Sequence, residues 1–106
     1  MADDAEPSDG FDIGRIDDII HGRIRLGIMA YLSGVESADF NALKTRLQAT
    51  DGNLSVHLRK LEEAGFVHVD KSFRERKPVT TASLTERGRD AFVAYLDAMS
   101  GLVGSR

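Results

Sequence analysis

The 106-residue chain contains no cysteine, no tryptophan and only two prolines. Without thiols there is no disulfide and no thiolate metal site, and the composition suits a reducing cytoplasm. Long apolar runs are also missing. The longest uninterrupted one covers residues 28–32, far short of a bilayer crossing. The opening is acidic, so it lacks the basic-then-apolar pattern of a secretory signal. There is no glycine-rich phosphate loop, no G-x-S-x-G turn and no paired-carboxylate arrangement. The three histidines, His21, His57 and His68, fall in separate predicted elements without H-x-x-x-H spacing. His57 and Ser55 would lie about 200° apart around a helix, which is no catalytic pair. Neither an enzyme nor a bound metal or cofactor is expected.

One domain is expected at this length, long enough to bury roughly 60–70% of the surface an unfolded chain exposes. A net charge of −3 argues at first against a nucleic-acid partner. Its distribution reverses that impression. Asp3, Asp4, Glu6, Asp9 and Asp12 put −5 into residues 1–12, and the remainder carries +2. Lys71, Arg74, Arg76 and Lys77 against Glu75 make a local +3. Local field governs phosphate contact more than total charge does. A lone basic run is ordinarily a solvated loop; the position of this one, just after a polar-faced helix, changes its meaning.

That helix covers residues 50–67, TDGNLSVHLRKLEEAGFV. Leu54, Leu58 and Leu61 make one narrow apolar stripe. Thr50 suits the N-cap, Asp51 places negative charge in the first turn, and Gly65 suits the left-handed residue past the end. The remaining circumference carries Gly52, Asn53, Ser55, Val56, Arg59 and Lys60. Such a helix is held on one side and presents the other.

Residues 1–12 read as a disordered acidic tail. A first helix is expected from Ile13 to Ile20, with Ile13, Ile16 and Ile20 on one face, capped by Asp12 or by a turn at residues 9–10. After the break at His21 and Gly22, a second helix runs over residues 23–33. Residues 35–38 support no more than a minor strand. Asp39 caps a third helix reaching Leu47, whose Phe40, Leu43 and Leu47 share a face. Period-two alternation then predicts strands at 66–72 and 79–84, joined by the basic tip FRERKP, with Pro78 limiting the ladder. Thr85 and Glu86 open a last helix on which Phe92, Tyr95, Leu96, Met99, Leu102 and Val103 form a broad apolar face. Gly101, Gly104 and Ser105 suggest fraying at its end. The order is mainly α with a small β hairpin, a winged helix-turn-helix over residues 13–103.

The stretch TDGNLSVHLRKLEEAGFVHVDKSFRERKPVTTASLTERGR resembles the short winged-helix transcriptional regulators of the MarR/ArsR-like superfamily. Asp39 and Phe40, Leu43 and Lys44, residues 51–55, His57 and Leu58, residues 60–62 and 64–67, Arg76, Pro78 and residues 84–89 carry that resemblance. HGRIRLGIMAYL is similar to the second helix of the family. The resemblance covers about residues 13–103 and implies a dimeric bacterial or archaeal transcription factor. Two departures matter. ArsR-type metal sensing uses cysteine-rich motifs, which are absent here. Larger MarR proteins build a ligand pocket against long dimer helices, whereas the one short helix predicted on each flank does not indicate a small-molecule effector.

On this reading Gly52, Asn53, Ser55, Val56, Arg59 and Lys60 face the major groove of double-stranded DNA. Asn53 and Arg59 suit bidentate base contacts, while Thr50 and Ser55 suit phosphate. Asp51 is assigned to capping rather than to reading cytosine. Lys71, Arg74, Arg76 and Lys77 would reach the backbone or the minor groove. Ile13, Ile16 and Ile20 with the apolar face of the last helix would bury their surplus in a two-fold homodimer. His57 is expected to pack at the edge of the stripe, and His21 to make a structural hydrogen bond. A repressor is expected, with no membrane partner. The alternative is a winged-helix protein–protein module without DNA binding, which the acidic tail allows and the basic wing disfavours.

Overall fold

The computed structural model describes residues 11–103. Four α-helices pack with a three-stranded antiparallel sheet, whose outer hairpin end is exposed. Helix α1 is Arg23–Leu32, α2 is Phe40–Leu47, α3 is Asp51–Glu63 and α4 is Glu86–Leu102. The strands are β1 (Ala38–Asp39), β2 (Val67–Arg74) and β3 (Lys77–Leu84), in the spatial order β1-β3-β2. The expected mainly α architecture with a β hairpin is present, with β1 as a minor third strand.

Local chemistry starts and stops the helices where the sequence places those signals. The side chains of Asp39, Thr50 and Thr85 accept from the amides of Ala42, Asn53 and Gly88, satisfying donors that a first helical turn leaves unpaired. Gly65 takes the left-handed backbone after α3, with φ of 84°. The core is a single cluster. Ile28, Met29 and Leu32 of α1 meet Leu43 of α2, Leu54 and Leu61 of α3, and Val67 and Ala82 of the sheet. Each fully buried side chain of this kind contributes about 1.5–3 kcal/mol relative to exposure.

Helix α4 is fastened at its start. Thr85 Oγ1 donates to the Gly65 carbonyl at 2.6 Å, and the Thr85 amide donates to the Phe66 carbonyl at 3.1 Å. Gly88 lies so close to the Phe66 carbonyl that a β-carbon would overlap it. Only glycine permits that approach.

Three expectations are corrected. The predicted helix from Ile13 to Ile20 is instead a short 3-10 helix, Ile13–Arg15, followed by a turn. Asp12 accepts from the Gly14 amide at 3.0 Å and Asp17 from the Ile19 amide at 2.8 Å. Such side-chain bonds compete with continuous helix, and they separate the three isoleucines. Ile20 is fully buried, Ile16 is half-buried and Ile13 stays 68% exposed.

The predicted six-residue wing tip contracts to Glu75 and Arg76, because β2 and β3 pair as far as Arg74 opposite Lys77. Pro78 does not limit the ladder; it sits in register opposite Phe73. In the closing pair of a two-residue hairpin the bonds run through Arg74 and Lys77, so the next residue turns its nitrogen away from β2. Strand β1 reaches only Thr81 and Ala82, so nothing on that side requires the missing amide.

The last correction concerns the flanks. Of the residues expected to face a second copy, Ile20, Phe92 and Tyr95 are buried in the protomer's own core. They belong to the same buried cluster as Ile24, Ile28 and Met29 of α1, and the Tyr95 hydroxyl bonds His21 Nδ1 at 3.0 Å. The structural hydrogen bond expected of His21 is present. The acidic tail expected at residues 1–10 and the fraying expected at Gly104 and Ser105 lie outside the described residues.

Candidate nucleic-acid interface

Helix α2, a three-residue turn and α3 form the helix-turn-helix. Gln48 closes α2 in the left-handed conformation, φ 53°, and its amide bonds back to the Lys44 and Thr45 carbonyls. Thr50 then resets the chain to extended backbone and caps α3. The apolar stripe turns Leu54, Leu58 and Leu61 inward. At 100° per residue, Gly52, Val56 and Arg59 point away from the core, with Asn53 and Lys60 on one flank and Ser55 on the other. All six are exposed, Val56 at 45%. The acidic side chains Glu62 and Glu63 occupy the last turn of the helix, and Glu62 lines the same cleft as Ser55 and Arg59.

Asp51 has a role that the sequence did not indicate. Thr50 supplies the cap, while an Asp51 oxygen lies 2.8 Å from Lys44 Nζ of α2. The pair bridges the two helices of the motif and partly neutralises the one carboxylate in the first turn.

The wing stands beside α3. Lys71 on β2 lines a shallow cleft of about 170 Å³ with Ser55 and Arg59 of α3, joining helix and hairpin in one surface. Arg74 lines a second hollow, of about 340 Å³, with Asn41 of α2 and Thr80 of β3. Arg76 and Lys77 sit further out, at the exposed end of the hairpin. Glu75 and Arg76 both have positive φ, 53° and 70°, the backbone that a tight two-residue hairpin needs and that glycine or asparagine usually supplies. The structure therefore gathers Ser55, Arg59 and Lys71 at one cleft, and brings Arg74 to the start of α2 rather than to the same place.

Two residues on this side were not singled out from the sequence. Asn41 could have been suspected from its place in the first turn of the positioning helix. Phe73, 77% exposed, is a lone aromatic within a basic run, and the alternation of β2 puts it on the same face as Lys71.

His57 is half-buried on the α1 side of α3, as its expected packing role requires. Its Nδ1 is closed off from solvent without a hydrogen-bond partner. Burial lowers its pKa below the ordinary 6.5, and the charges of Arg25 and Lys60 lower it further. Among the described residues no group of three or more histidines and carboxylates could hold a metal ion, and no helix is long and apolar enough to cross a membrane.

The flanking surface carries apolar groups that the core leaves out. Val93, Leu96 and Val103 of the α4 region are 61%, 50% and 72% exposed, and Ile13 stands out on the N-terminal segment. Met99 and Leu102 are half-buried. Arg15 binds Asp97 at 2.7 Å and ties that segment to α4.

Recognised by its sequence pattern and laid out in this geometry, the molecule is a winged helix domain. Residues 24–103 match the family of winged helix DNA-binding domains, and the chain belongs to it. It is 45% identical over 78 residues to an uncharacterised protein of Methanocaldococcus jannaschii, covering 74% of this chain and 85% of that one. Among solved structures it is similar to a transcriptional regulator homologue from Pyrococcus horikoshii, with a TM-score of 0.75 and 32% identity over 80% of this chain and 84% of that one. NadR in complex with 4-hydroxyphenylacetate shares the fold, with a TM-score of 0.64 and 20% identity over 84% of this chain and 60% of that one. The protein is thus a member of the winged helix DNA-binding family, similar in sequence and fold to a transcriptional regulator homologue.

Proposed function

We propose that the protein acts as a homodimeric, sequence-specific repressor that occupies a two-fold DNA site. The exposed face of α3 lies in the major groove, where Asn53 and Arg59 read base edges and Thr50, Ser55 and Lys60 hold phosphates. Gly52 and Val56 allow close approach, since neither brings a charge or a long polar group to the centre of that face. The wing residues Lys71, Arg74, Arg76 and Lys77 bind backbone or the adjoining minor groove. No catalytic step and no effector is part of this reading.

One observation carries it. The exposed face of α3, which carries Gly52, Asn53, Ser55, Val56, Arg59 and Lys60, is continuous, through the Ser55–Arg59–Lys71 cleft, with a cationic hairpin. The homodimer is supported by the exposed Ile13, Val93, Leu96 and Val103, which a symmetric contact would bury. Two recognition helices about 34 Å apart would then meet successive major grooves on one side of the duplex.

The test begins with fragments selected from the host genome, followed by binding titrations at several salt concentrations. Arg59→Ala with Lys60→Ala should weaken binding and flatten the difference between selected and random duplex. Arg74→Ala with Arg76→Ala should weaken both duplexes alike and reduce the log–log salt slope by about 0.9 for each phosphate no longer neutralised. Failure of the wild-type protein to bind any duplex at low salt would leave the protein–protein module as the better reading. A reporter whose promoter overlaps the selected site tests repression: expression should rise when the Arg59/Lys60 variant replaces the wild type.

A further inference from the structure

Phe73 is the most exposed large apolar residue among the described residues, at 77%. It is paired opposite Pro78 near the closed end of the hairpin. Alternation along β2 puts Val67, Val69, Lys71 and Phe73 on one face, and the register sets Leu84, Ala82, Thr80 and Pro78 beside them. The inner half of that face is core: Val67 and Ala82 are each 2% exposed. Its outer half runs past the core's edge. There Lys71 shares a cleft with Ser55 and Arg59 of α3, and Phe73 comes next along the strand. An aromatic side chain thus continues the α3 side of the sheet, on the same face as Lys71 and just short of Arg76 at the hairpin's tip, with Arg74 and Lys77 paired on the opposite face.

A phenyl ring left in water contributes nothing to this fold. Lys71 along its own face and Arg76 at the hairpin's tip, one on each side of the ring along the wing, match a partner with two lines of negative charge and an apolar interior between them. Duplex DNA seen from its minor groove has that form: phosphates on either side of a narrow groove, with stacked bases at its floor. We infer that Phe73 is the wing's wedge. Resting on the DNA-binding reading above, the inference assigns it to the minor groove flanking the α3 site, where it packs against a base step and partly unstacks it. Pro78 stiffens the strand behind it, and the neighbouring cations hold the phosphates on each side. Binding therefore bends the duplex and favours an easily deformed pyrimidine–purine step at this position, with no hydrogen bond to its bases.

The experiment uses the full chain and a selected duplex carrying 2-aminopurine at the flanking step, with dyes at the duplex ends to report bending. Wild-type protein should raise the 2-aminopurine fluorescence and shorten the end-to-end distance. Phe73→Ala should lose both effects and bind about tenfold more weakly, the size expected for one aromatic contact, with the salt slope unchanged. Phe73→Leu should keep most of each. Arg74→Ala should show the converse, a slope reduced by about 0.9 with the fluorescence rise retained. If wild type binds the duplex and Phe73→Ala matches it in affinity and fluorescence, the wedge is wrong while the DNA reading stands. Loss of self-association by Phe73→Ala, with DNA binding intact, would overturn the wedge in favour of a contact between copies. If no duplex binds wild type at all, the DNA reading fails first.

Discussion

His57 shows how one residue's surroundings set a measurable property. In the folded chain its Nδ1 is closed off from solvent without a protein partner, and burial, Arg25 and Lys60 all disfavour the imidazolium. The unfolded chain accepts that proton near the ordinary value of 6.5. Folded-state pKa lies below unfolded-state pKa, so on acidification the unfolded chain binds the proton first. This group therefore leaves stability untouched above about pH 6.5 and reduces it as pH falls below that value towards the folded pKa. The urea midpoint of the wild type should drop more between about pH 7 and pH 5.5 than that of His57→Gln. Parallel curves for the two proteins would show that the ring titrates freely.

Among the elements, the helix-turn-helix and the wing divide the labour of holding shape and presenting charge. The Lys44–Asp51 pair links α2 to α3, but its side chains are 35% and 74% exposed. Exposed pairs contribute under about 1 kcal/mol, so the pair is a weak strut. Its electrostatic effect on a phosphate-binding surface is larger, because Asp51 both repels phosphate and occupies Lys44. Asp51→Asn should therefore change the unfolding free energy by less than about 1 kcal/mol while tightening binding to random duplex severalfold. Fluorescence anisotropy at fixed salt measures it. Weaker binding, confined to selected duplexes, would show instead that Asp51 reads a base. The wing makes a similar trade: its tip keeps Glu75 and Arg76 in backbone conformations that glycine or asparagine would hold more readily, and so retains a cation there.

For the whole molecule the question is what the α4 flank does. The protomer closes its own core with Ile20, Phe92 and Tyr95, yet leaves Ile13, Val93, Leu96 and Val103 facing outward. A copy of the same chain would cover them and fix the spacing of the two recognition helices. Leu96 is half exposed, so Leu96→Glu should spare the fold and act on association alone. In light scattering, wild type should give about twice the 11.6 kDa chain mass and the variant the single mass. On a two-half-site duplex the variant should lose tight binding while still occupying single half-sites at higher concentration. A wild-type protein of single mass at micromolar concentration would refute the paired arrangement.

What the sequence determined by itself was local. Residues 39, 50 and 85 cap helices because a side-chain oxygen reaches an amide three residues on, and Gly65 ends α3 because the left-handed turn is decided within the same few bonds. The Leu54–Leu58–Leu61 stripe likewise separates inner from outer face by helical period alone. The exposed face with Asn53, Val56 and Arg59 could be read in advance for that reason. Tertiary structure decided the rest. The three N-terminal isoleucines part company because Asp12 and Asp17 capture amides, so that Ile20 enters the core, Ile16 packs at its edge and Ile13 stays outside. Which apolar residues of α4 are spent inside depends on where that helix crosses the sheet, fixed by the Gly88–Phe66 approach across 22 residues of chain. The union of Ser55, Arg59 and Lys71, and the place of Phe73 beyond them, depends on strand register against α3. Register and crossing are set by packing between distant segments, which no local period encodes.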